Sequence, residues 1–267
     1  MKTNRLILIA AVLALAGCTA KAPVLKSMKV QYPARPDYTE TYNFRYDSQG
    51  RLVQTEECSI YEGEKHIRSW KYTYKDGLKA EVETKLMRRS HKGEILFQDD
   101  YNHIASISLP EETEMDENGI VFLGQLWEHT YKDGRLARAV FADFTSDGTA
   151  VSKFTWDGDE LVKYEGSDPA LFTEIKDIEY LETENPFNGP DPVAYLLEVE
   201  PFFWQGLAGP RPDKLIGAYT HVASDPWVED ISMDQVSISY ETDRYGRITH
   251  ILQTINGKLE KSVELSY

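Results

Sequence analysis

The sequence predicts a single, mainly antiparallel β-domain: a curved meander sheet or half-barrel built of hairpins, with a short helical insertion covering one face. Two observations lead to this prediction. Runs in which every second residue is aromatic or aliphatic recur along the chain, and most of them end at an Asp-Gly turn. Residues 186–227 break this pattern with clustered prolines and the most apolar segment of the mature chain.

The first element is a secretion signal. Lys2 and Arg5 precede an uncharged apolar run, residues 6–16, which is too short to span a bilayer but has the length of a signal-peptide core. The run ends in Leu-Ala-Gly-Cys at residues 15–18, which resembles the bacterial lipobox. That resemblance implies a signal peptide at 1–17 and an acyl anchor of the palmitate type on Cys18. The alternative is an ordinary signal peptide followed by a chance cysteine.

The second element is a tether, predicted over residues 18–36 because prolines at 23, 33 and 36 interrupt it. Lys29–Tyr32 is the one part of it that also fits a first edge strand. The β-domain then covers residues 37–267. Cys58 is the only cysteine besides Cys18, so we expect no internal disulfide and a buried, inert thiol.

Charge limits the partners of the mature protein. The whole chain has a formal net charge of −15, and removing Lys2 and Arg5 with the signal makes it two units more negative. Such a surface repels phosphate backbones, which argues against nucleic-acid binding. The predicted partners are the membrane, through the lipid on Cys18, and an envelope protein or a glycan. Nothing in the sequence indicates an oligomeric state.

The hairpins follow in order along the domain. In each, an aromatic residue ends an alternating run, a short Asp/Gly turn follows, and an apolar residue starts the next run. Asp-Gly supplies the positive φ angles of a tight hairpin turn. The copies lie at residues 42–53, 70–80, 127–136, 154–162 and 237–248.

One of these turns carries a resemblance to a known repeat. Residues 46–52, Tyr-Asp-Ser-Gln-Gly-Arg-Leu, fit the Tyr-Asp-x-x-Gly-Arg-Leu core of the YD (RHS-type) repeat, residues 131–136 are a shortened form and residues 240–248 a stretched one. A lipobox followed by such hairpins resembles a group of lipoproteins of unknown function from Bacteroides-like bacteria. Large RHS proteins build closed shells from many copies. Here the copies are too few for a shell and too irregular for a solenoid, so we expect a sheet.

The insertion is predicted to begin as a helix. Asp191 has the character of an N-cap, and Pro192 suits the first helical position. We expect residues 191–207 to pack across the concave face of the sheet as a lid or plug. A second stretch, residues 170–180, fits either a helix or a strand.

No motif predicts catalysis, a metal or a cofactor. The six histidines lack metal-ligand spacing, and the sequence contains no nucleophile elbow, phosphate loop or dinucleotide fingerprint. The adjacent carboxylates Asp99 and Asp100 would point to opposite faces of a strand, unlike a catalytic pair. Acidic turns at 116–119 and 157–160 lack the EF-hand spacing, and turn chemistry alone accounts for them.

Aromatic residues are the candidate ligand contacts. Trp70, Trp127 and Trp156 are predicted to be core residues of their hairpins. Three residues in or near the insertion are candidates for facing a ligand: Phe203, Trp204 and Trp227.

The sequence therefore predicts a non-catalytic, lipid-anchored envelope protein that binds or scaffolds a protein partner or glycan. The alternative is a hydrolase of envelope or dietary polysaccharides. Thr19 rather than Asp favours the outer membrane. Since no acidic run follows Cys18, the periplasmic face is favoured over the cell surface.

Overall fold

The computed structural model describes residues 24–86, 89–110, 124–143, 148–168, 171–225 and 230–267. These residues form sixteen strands and two short helices. The strands are β1 Ser27–Gln31, β2 Tyr38–Tyr46, β3 Leu52–Tyr61, β4 Glu64–Lys75, β5 Lys79–Leu86, β6 Arg89–Phe97, β7 Ile104–Leu109, β8 Gln125–Lys132, β9 Arg135–Asp143, β10 Thr149–Asp157, β11 Glu160–Ser167, β12 Phe172–Glu184, β13 Lys214–Asp225, β14 Asp230–Thr242, β15 Ile248–Ile255 and β16 Lys258–Ser266. The helices α1 Pro192–Leu196 and α2 Pro201–Trp204 lie between β12 and β13.

The sheet closes into a barrel in which every strand pairs antiparallel with its neighbours in sequence. Strand β1 completes the ring, because Val30 lies opposite Glu40 of β2 on one side and opposite Val263 of β16 on the other. The prediction of an open curved sheet or half-barrel is therefore wrong. It failed because Ser27–Gln31 fell inside the predicted tether of residues 18–36, and without that strand the first and last hairpins keep free edges.

Alternation along each strand separates an apolar interior from a polar exterior. In β1, for example, Met28 and Val30 are completely buried while Lys29 between them is exposed. The buried apolar residues of the strands and of the helical insertion form a single cluster, which in a closed barrel occupies the lumen. The free thiol of Cys58 is half-buried rather than buried.

Charged side chains stand on the outer wall in the middle of the strands. Lys163 of β11 and Lys176 of β12 both contact Glu174, with Nζ–Oε distances of 2.7 and 2.8 Å. Among the described residues, no helix is long and apolar enough to cross a bilayer.

The two ends of the barrel differ in their connections. At the tight-turn end lie the turns at 47–51, 76–78, 133–134, 158–159 and 243–247, together with the start of β1. At the loop end lie the connections that follow the odd-numbered strands, several of them longer. The predicted Asp-Gly chemistry is present: Asp133 and Gly134 have φ angles of 53° and 75°, as a two-residue hairpin turn requires.

The Asp-x-x-Gly-Arg pattern, at residues 47–51 and 243–247, forms the same turn twice. Asp47 Oδ1 accepts the backbone N–H of Gln49 and of Arg51, both at 2.9 Å, and its Oδ2 accepts Arg51 Nε at 2.7 Å. Asp243 makes the equivalent bonds to Tyr245 and Arg247 at 2.8, 3.1 and 2.8 Å. The stretched copy at 240–248 thus has the geometry of the copy at 46–52.

An aromatic residue near the end of every even-numbered strand except β6 has a recurring role at the tight-turn end. It donates a side-chain hydrogen bond of 2.6–3.0 Å to a carbonyl near the start of the preceding strand. We call these the aromatic–carbonyl bonds. Their donors are Tyr46, Tyr74, Tyr131, Trp156, Tyr180, Tyr240 and Tyr267. Phe97 ends β6, so that strand lacks the donor.

The helical insertion fills the lumen. As predicted, Asp191 caps α1, accepting the N–H groups of Val193 and Ala194 at 2.8 and 3.2 Å, and Pro192 opens the helix. Residues 191–207, which we call the plug, lie inside a closed wall rather than across an open concave face. The insertion is also shorter than the predicted 186–227, since β13 begins at Lys214.

Hydrogen bonds join the plug to several sides of the wall. Gln205 Oε1 accepts Thr55 Oγ1 at 3.0 Å and Tyr72 Oη at 2.8 Å. On β15, about a quarter of the way round the ring, Gln253 Nε2 donates to the Leu196 carbonyl at 3.0 Å. Within the ambiguous stretch at 170–180, residues 172–180 are strand: they belong to β12, which pairs with β11 and β13, and residue 170 lies outside the described residues.

Candidate functional site

Within the part of the chain that the structure describes, one cavity lies above the plug and another below it, towards the two ends of the lumen. The loop-end cavity has a volume of about 670 Å³ and the tight-turn cavity about 590 Å³. Both lie in the size range of small-molecule sites. The loop-end cavity is lined mainly by apolar groups with a few polar ones, which is the usual character of such a site.

Three aromatic side chains form one wall of the loop-end cavity. Trp70, Trp127 and Phe141 occupy inward positions of β4, β8 and β9, where alternation along the strands places them. The Trp70 and Trp127 ring centroids are 5.9 Å apart at 79°, while Trp127 and Phe141 stack at 4.7 Å and 29°. Phe202 of the plug supports both tryptophans from below, at 5.3 and 5.6 Å. The wall is therefore held in place by packing on the plug.

Polar groups on the other sides are arranged in pairs. Gln125 Nε2 donates to Asp143 Oδ2 at 3.0 Å, and the hydroxyls of Ser152 and Tyr164 lie 3.1 Å apart. Ala139 is a small residue between these groups and leaves the space open. Charged side chains of both signs, Arg68, Lys85 and Glu198, complete the lining.

Glu200 lies at the floor, where the plug meets the cavity. Its Oε2 caps α2 by accepting the N–H of Phe203 at 2.7 Å. Its Oε1 lies 3.2 Å from His129 Nε2, outside hydrogen-bonding geometry, and none of the described residues donates a hydrogen bond to it. The His129 side chain is completely buried and that of Glu200 is 5% exposed. Oε1 is sealed from solvent, so it faces the buried His129 ring rather than the open space of the cavity.

The tight-turn cavity contains arginines that are already paired. Arg51 pairs with Asp47, and Arg135 contacts Asp159 and stacks 4.8 Å from the Trp156 ring. Arg211 donates to the backbone carbonyls of residues 187 and 189. Their charges and donors are thus taken up by the protein itself.

A buried carboxylate on β2 receives several tyrosine hydroxyls. Tyr32 and Tyr42 donate to Glu40 at 3.2 Å, and Tyr38 and Tyr195 also donate to it. Burial, with the nearby Glu40 charge, raises the pKa of Tyr32 to about 12, although the hydrogen bond with Tyr195 opposes the shift. Since Tyr195 belongs to α1, this cluster ties the plug to β2.

The predicted ligand-facing residues are placed elsewhere. Phe203 is completely buried against Phe154, with ring centroids 5.1 Å apart, and Trp204 is 8% exposed against Tyr42 at 5.4 Å. Neither lines the loop-end cavity. Trp227 and Cys18 lie outside the described residues.

The three hairpin tryptophans, all predicted to be core residues, lie at two different places in the barrel. Trp127 is buried, and Trp70 is half-buried and lines the cavity with it. Trp156 lies towards the tight-turn end and packs on Phe203 at 6.2 Å.

Two acidic residues depart from their predicted arrangement. Asp99 and Asp100 lie in a turn rather than a strand, so both reach His103 Nδ1, at 3.0 and 2.8 Å. Both aspartates are exposed, the His103 side chain is 16% exposed, and the contacts are explained as turn contacts.

Sequence reasoning missed Glu200 at the cavity floor. Its neighbour His129 alternates with Trp127 along β8, and that alternation does predict a position on the sheet face with an ordinary partner. Glu200 precedes Pro201 as a helix cap, and that signal was overlooked because glutamate is an uncommon cap.

Comparisons with known proteins identify the fold. No protein-family model matches the sequence, and no curated protein sequence is similar to it. The structure is similar to that of a porin-like protein from Bacteroides uniformis, with a TM-score of 0.64 and 12% identity over 92% of this chain and 98% of that one. It is also similar to a porin-like protein from Bacteroides vulgatus, with a TM-score of 0.57 and 15% identity over 91% and 98% of the two chains.

Proposed function

We propose that this chain is a lipid-anchored envelope protein whose closed barrel binds a small ligand in the loop-end cavity and does not conduct. The observation that carries the proposal is the filled lumen. The plug occupies the centre, with Phe202 and Phe203 completely buried, and leaves an aromatic-lined cavity that is closed below. A cavity that the plug closes at its base is suited to holding a ligand rather than to letting a solute pass through the barrel.

The composition of the outer wall favours a barrel that is anchored to the membrane by a lipid over a barrel that spans it. Membrane barrels carry an apolar band outside and polar residues inside, and this barrel has the opposite arrangement. A lysine facing lipid at mid-depth costs about 2–4 kcal/mol. Lys29, Lys163 and Lys176 all stand on the outer wall, each on a strand that such a band would cross. We therefore propose that a lipid on Cys18, not the barrel wall, holds the protein at the membrane.

The anchor would also orient the cavity. Cys18 is six residues before Val24, so it lies within about 20 Å of the start of the described chain. That start is at the tight-turn end, where Leu25 accepts an aromatic–carbonyl bond from Tyr46 at 2.7 Å. The tight-turn end would then face the lipid surface, and the loop-end cavity would open away from it.

The envelope location is supported by the signal sequence, the lipobox and the Bacteroides origin of the two porin-like neighbours. We propose the outer membrane, with the barrel on its periplasmic side. Protease treatment of intact cells tests the side: protection until lysis is expected, and digestion before lysis would place the barrel outside. The Cys18→Ser variant should leave the membrane fraction, and a variant that stays there would overturn the anchor.

The binding function is tested by filling the cavity. Ala139→Phe places a ring in the cavity, and Ala142→Phe places the same ring on the opposite face of β9 as a matched control. Thermal-shift screening of mature protein against soluble sugars, amines and fatty acids should find stabilisation that only Ala139→Phe abolishes. Stabilisation that survives Ala139→Phe would place the ligand elsewhere, and no stabilisation by any class would overturn the proposal.

The hydrolase alternative needs a separate product assay; it is considered because Glu200 and Asp143 contribute carboxylates to one cavity. Release of products from a bound polysaccharide, lost in Glu200→Gln, would favour it over simple binding. Binding without product is the result that we expect.

A further inference from the structure

We propose that the turn between β14 and β15, residues 243–247, is a second membrane contact, in which Tyr245 enters the lipid interface and the neighbouring cations meet anionic headgroups. This inference rests on the proposed lipid anchor at Cys18 and goes beyond the binding function. It draws on three observations: the side chains of the turn, its contrast with the turn at 47–51, and its place in the ring.

The turn displays an aromatic ring beside a cation. Tyr245 is 67% exposed, although its backbone N–H is fixed by a hydrogen bond of 2.8 Å to Asp243 Oδ1. The Arg244 guanidinium lies 4.7 Å from the centroid of the Tyr245 ring. Asp243 pairs with Arg247 at 2.6 Å, whereas none of the described residues forms an ion pair with Arg244. An exposed amphipathic ring next to an unpaired cation suits the headgroup layer of a membrane.

The turn at 47–51 shows that this geometry does not require the exposed pair. It has the same hydrogen bonds as the turn at 243–247. Its middle positions carry Ser48 and Gln49, both exposed, where the other turn carries Arg244 and Tyr245. Turn chemistry thus accounts for the shared Asp, Gly and Arg, and leaves the Arg-Tyr pair to be explained by what it meets outside the barrel.

The turn lies close to the start of the described chain. It belongs to the tight-turn end, and only β16 lies between β1 and the hairpin that carries it. Lys26 before β1 and Arg45 near the end of β2 are exposed on the same side, and neither forms an ion pair with a described residue. Across the ring, the turns after β8 and β10 instead expose Asp133, Asp157 and Asp159. A barrel tethered by this end to an anionic surface should therefore rest on its basic side.

The contact would orient the barrel rather than hold it. Each Lys or Arg close to an anionic surface adds only about fivefold in affinity. A few such cations are weaker than an acyl anchor supported by them, which agrees with the expected release of the Cys18→Ser variant from the membrane fraction.

Vesicle sedimentation of the mature chain carrying Cys18→Ser tests the inference, because without the lipid only the protein itself can bind. Vesicles of phosphatidylglycerol and phosphatidylcholine in equal parts are compared with vesicles of phosphatidylcholine alone. We expect partitioning onto the anionic vesicles, much less onto the neutral ones, and a decrease as salt is added. The double variant Arg244→Ser/Tyr245→Gln, which gives the turn the residues of the turn at 47–51, should reduce partitioning about fivefold or more.

Two matched variants keep the test specific. Lys132→Ser removes an exposed cation from the turn across the ring at the same end, and Tyr61→Gln removes a 47% exposed tyrosine at the loop end. Both should leave the partitioning unchanged. A loss equal to that of the double variant would mean that total charge or aromatic content decides binding, and would overturn the contact.

The outcomes separate this inference from the proposed function. If the chain without the lipid binds neither kind of vesicle, the contact is overturned, and equal binding to both kinds overturns it too, because the inference requires anionic headgroups. Neither result bears on the cavity, which Ala139→Phe tests. The anchor is judged separately, by comparing native protein with Cys18→Ser in the membrane fraction.

Discussion

Glu200 is the residue on which the plug and the cavity both depend. One carboxylate oxygen caps α2, and the other lies beside His129 at the cavity floor. This explains why a charged side chain persists in a position that is only 5% exposed.

Replacing it should therefore reduce stability measurably. Glu200→Ala removes the cap and leaves His129 beside a void, so we expect a loss of about 1–2 kcal/mol in the free energy of unfolding. Urea denaturation measures it. Glu264→Ala, at an exposed outer-wall position of β16, should cost less than about 1 kcal/mol. Equal losses for the two variants would mean that Glu200 has no special role.

The buried tyrosines predict a loss of stability at alkaline pH. Burial raises the pKa of Tyr32 to about 12 and raises those of Tyr38, Tyr42 and Tyr195 further. Since the unfolded protein ionises its tyrosines near pH 10, it binds fewer protons than the folded protein above that pH. Stability should be fully present below about pH 10 and decline as pH rises through about 12.

Ultraviolet absorbance checks the tyrosine prediction, because tyrosinate and unfolding can be followed in one titration. Most tyrosinate should appear together with loss of circular dichroism. Ionisation of most tyrosines while the fold remains intact would show that burial does not hold these pKa values up.

At the scale of elements, local turn chemistry was predictable and closure was not. The Asp-Gly turns and the Asp191 cap were inferred from a few adjacent residues whose backbone needs are specific. Strand β1 has only five residues and is followed by Pro33 and Pro36, so its pattern is weak by itself. It becomes a strand because β2 and β16 both offer unpaired edges to it.

The candidate site was missed for a related reason. On an open sheet, Phe203 and Trp204 would lie at a surface, and there a ligand-facing role is reasonable. Closure turns that surface into a lumen, where the same side chains pack against Phe154 and Tyr42. Which aromatic residues reach a ligand is thus decided by long-range pairing, which no local pattern contains.

The turn that follows α2 gives a test of the plug. Gly206 has a φ of +76°, and a Cβ there would lie 2.5 Å from the Gly189 carbonyl oxygen. Gly63 has a similar φ of +84° with nothing within 4 Å, so it isolates the cost of the backbone angle alone. We expect Gly63→Ala to cost about 1–2 kcal/mol, and Gly206→Ala to cost clearly more, because rigid backbone must move. Urea denaturation of both variants measures the difference, and similar losses would show that the plug adapts freely.

At the scale of the whole molecule, the fold suggests one function and the packed lumen and outer surface suggest another. The barrel resembles porin-like proteins, yet its lumen is packed and its wall carries charge. We therefore predict that purified protein added to planar lipid bilayers produces no ion conductance. A bacterial porin in the same apparatus is the positive control, and discrete conductance steps from this protein would contradict both the filled lumen and the anchored arrangement.

The pairing of β1 with β16 has a consequence for how the chain reaches its native state. Ser27 and Ser266 lie opposite each other, so the contact that closes the ring joins the two extremes of the described sequence. Contacts so distant along the chain form slowly. Until the last strand pairs, both edges of an otherwise complete sheet keep unpaired backbone N–H and C=O groups. These edges can associate with other chains. A newly made copy therefore passes through an interval in which association with other chains competes with closure of the ring.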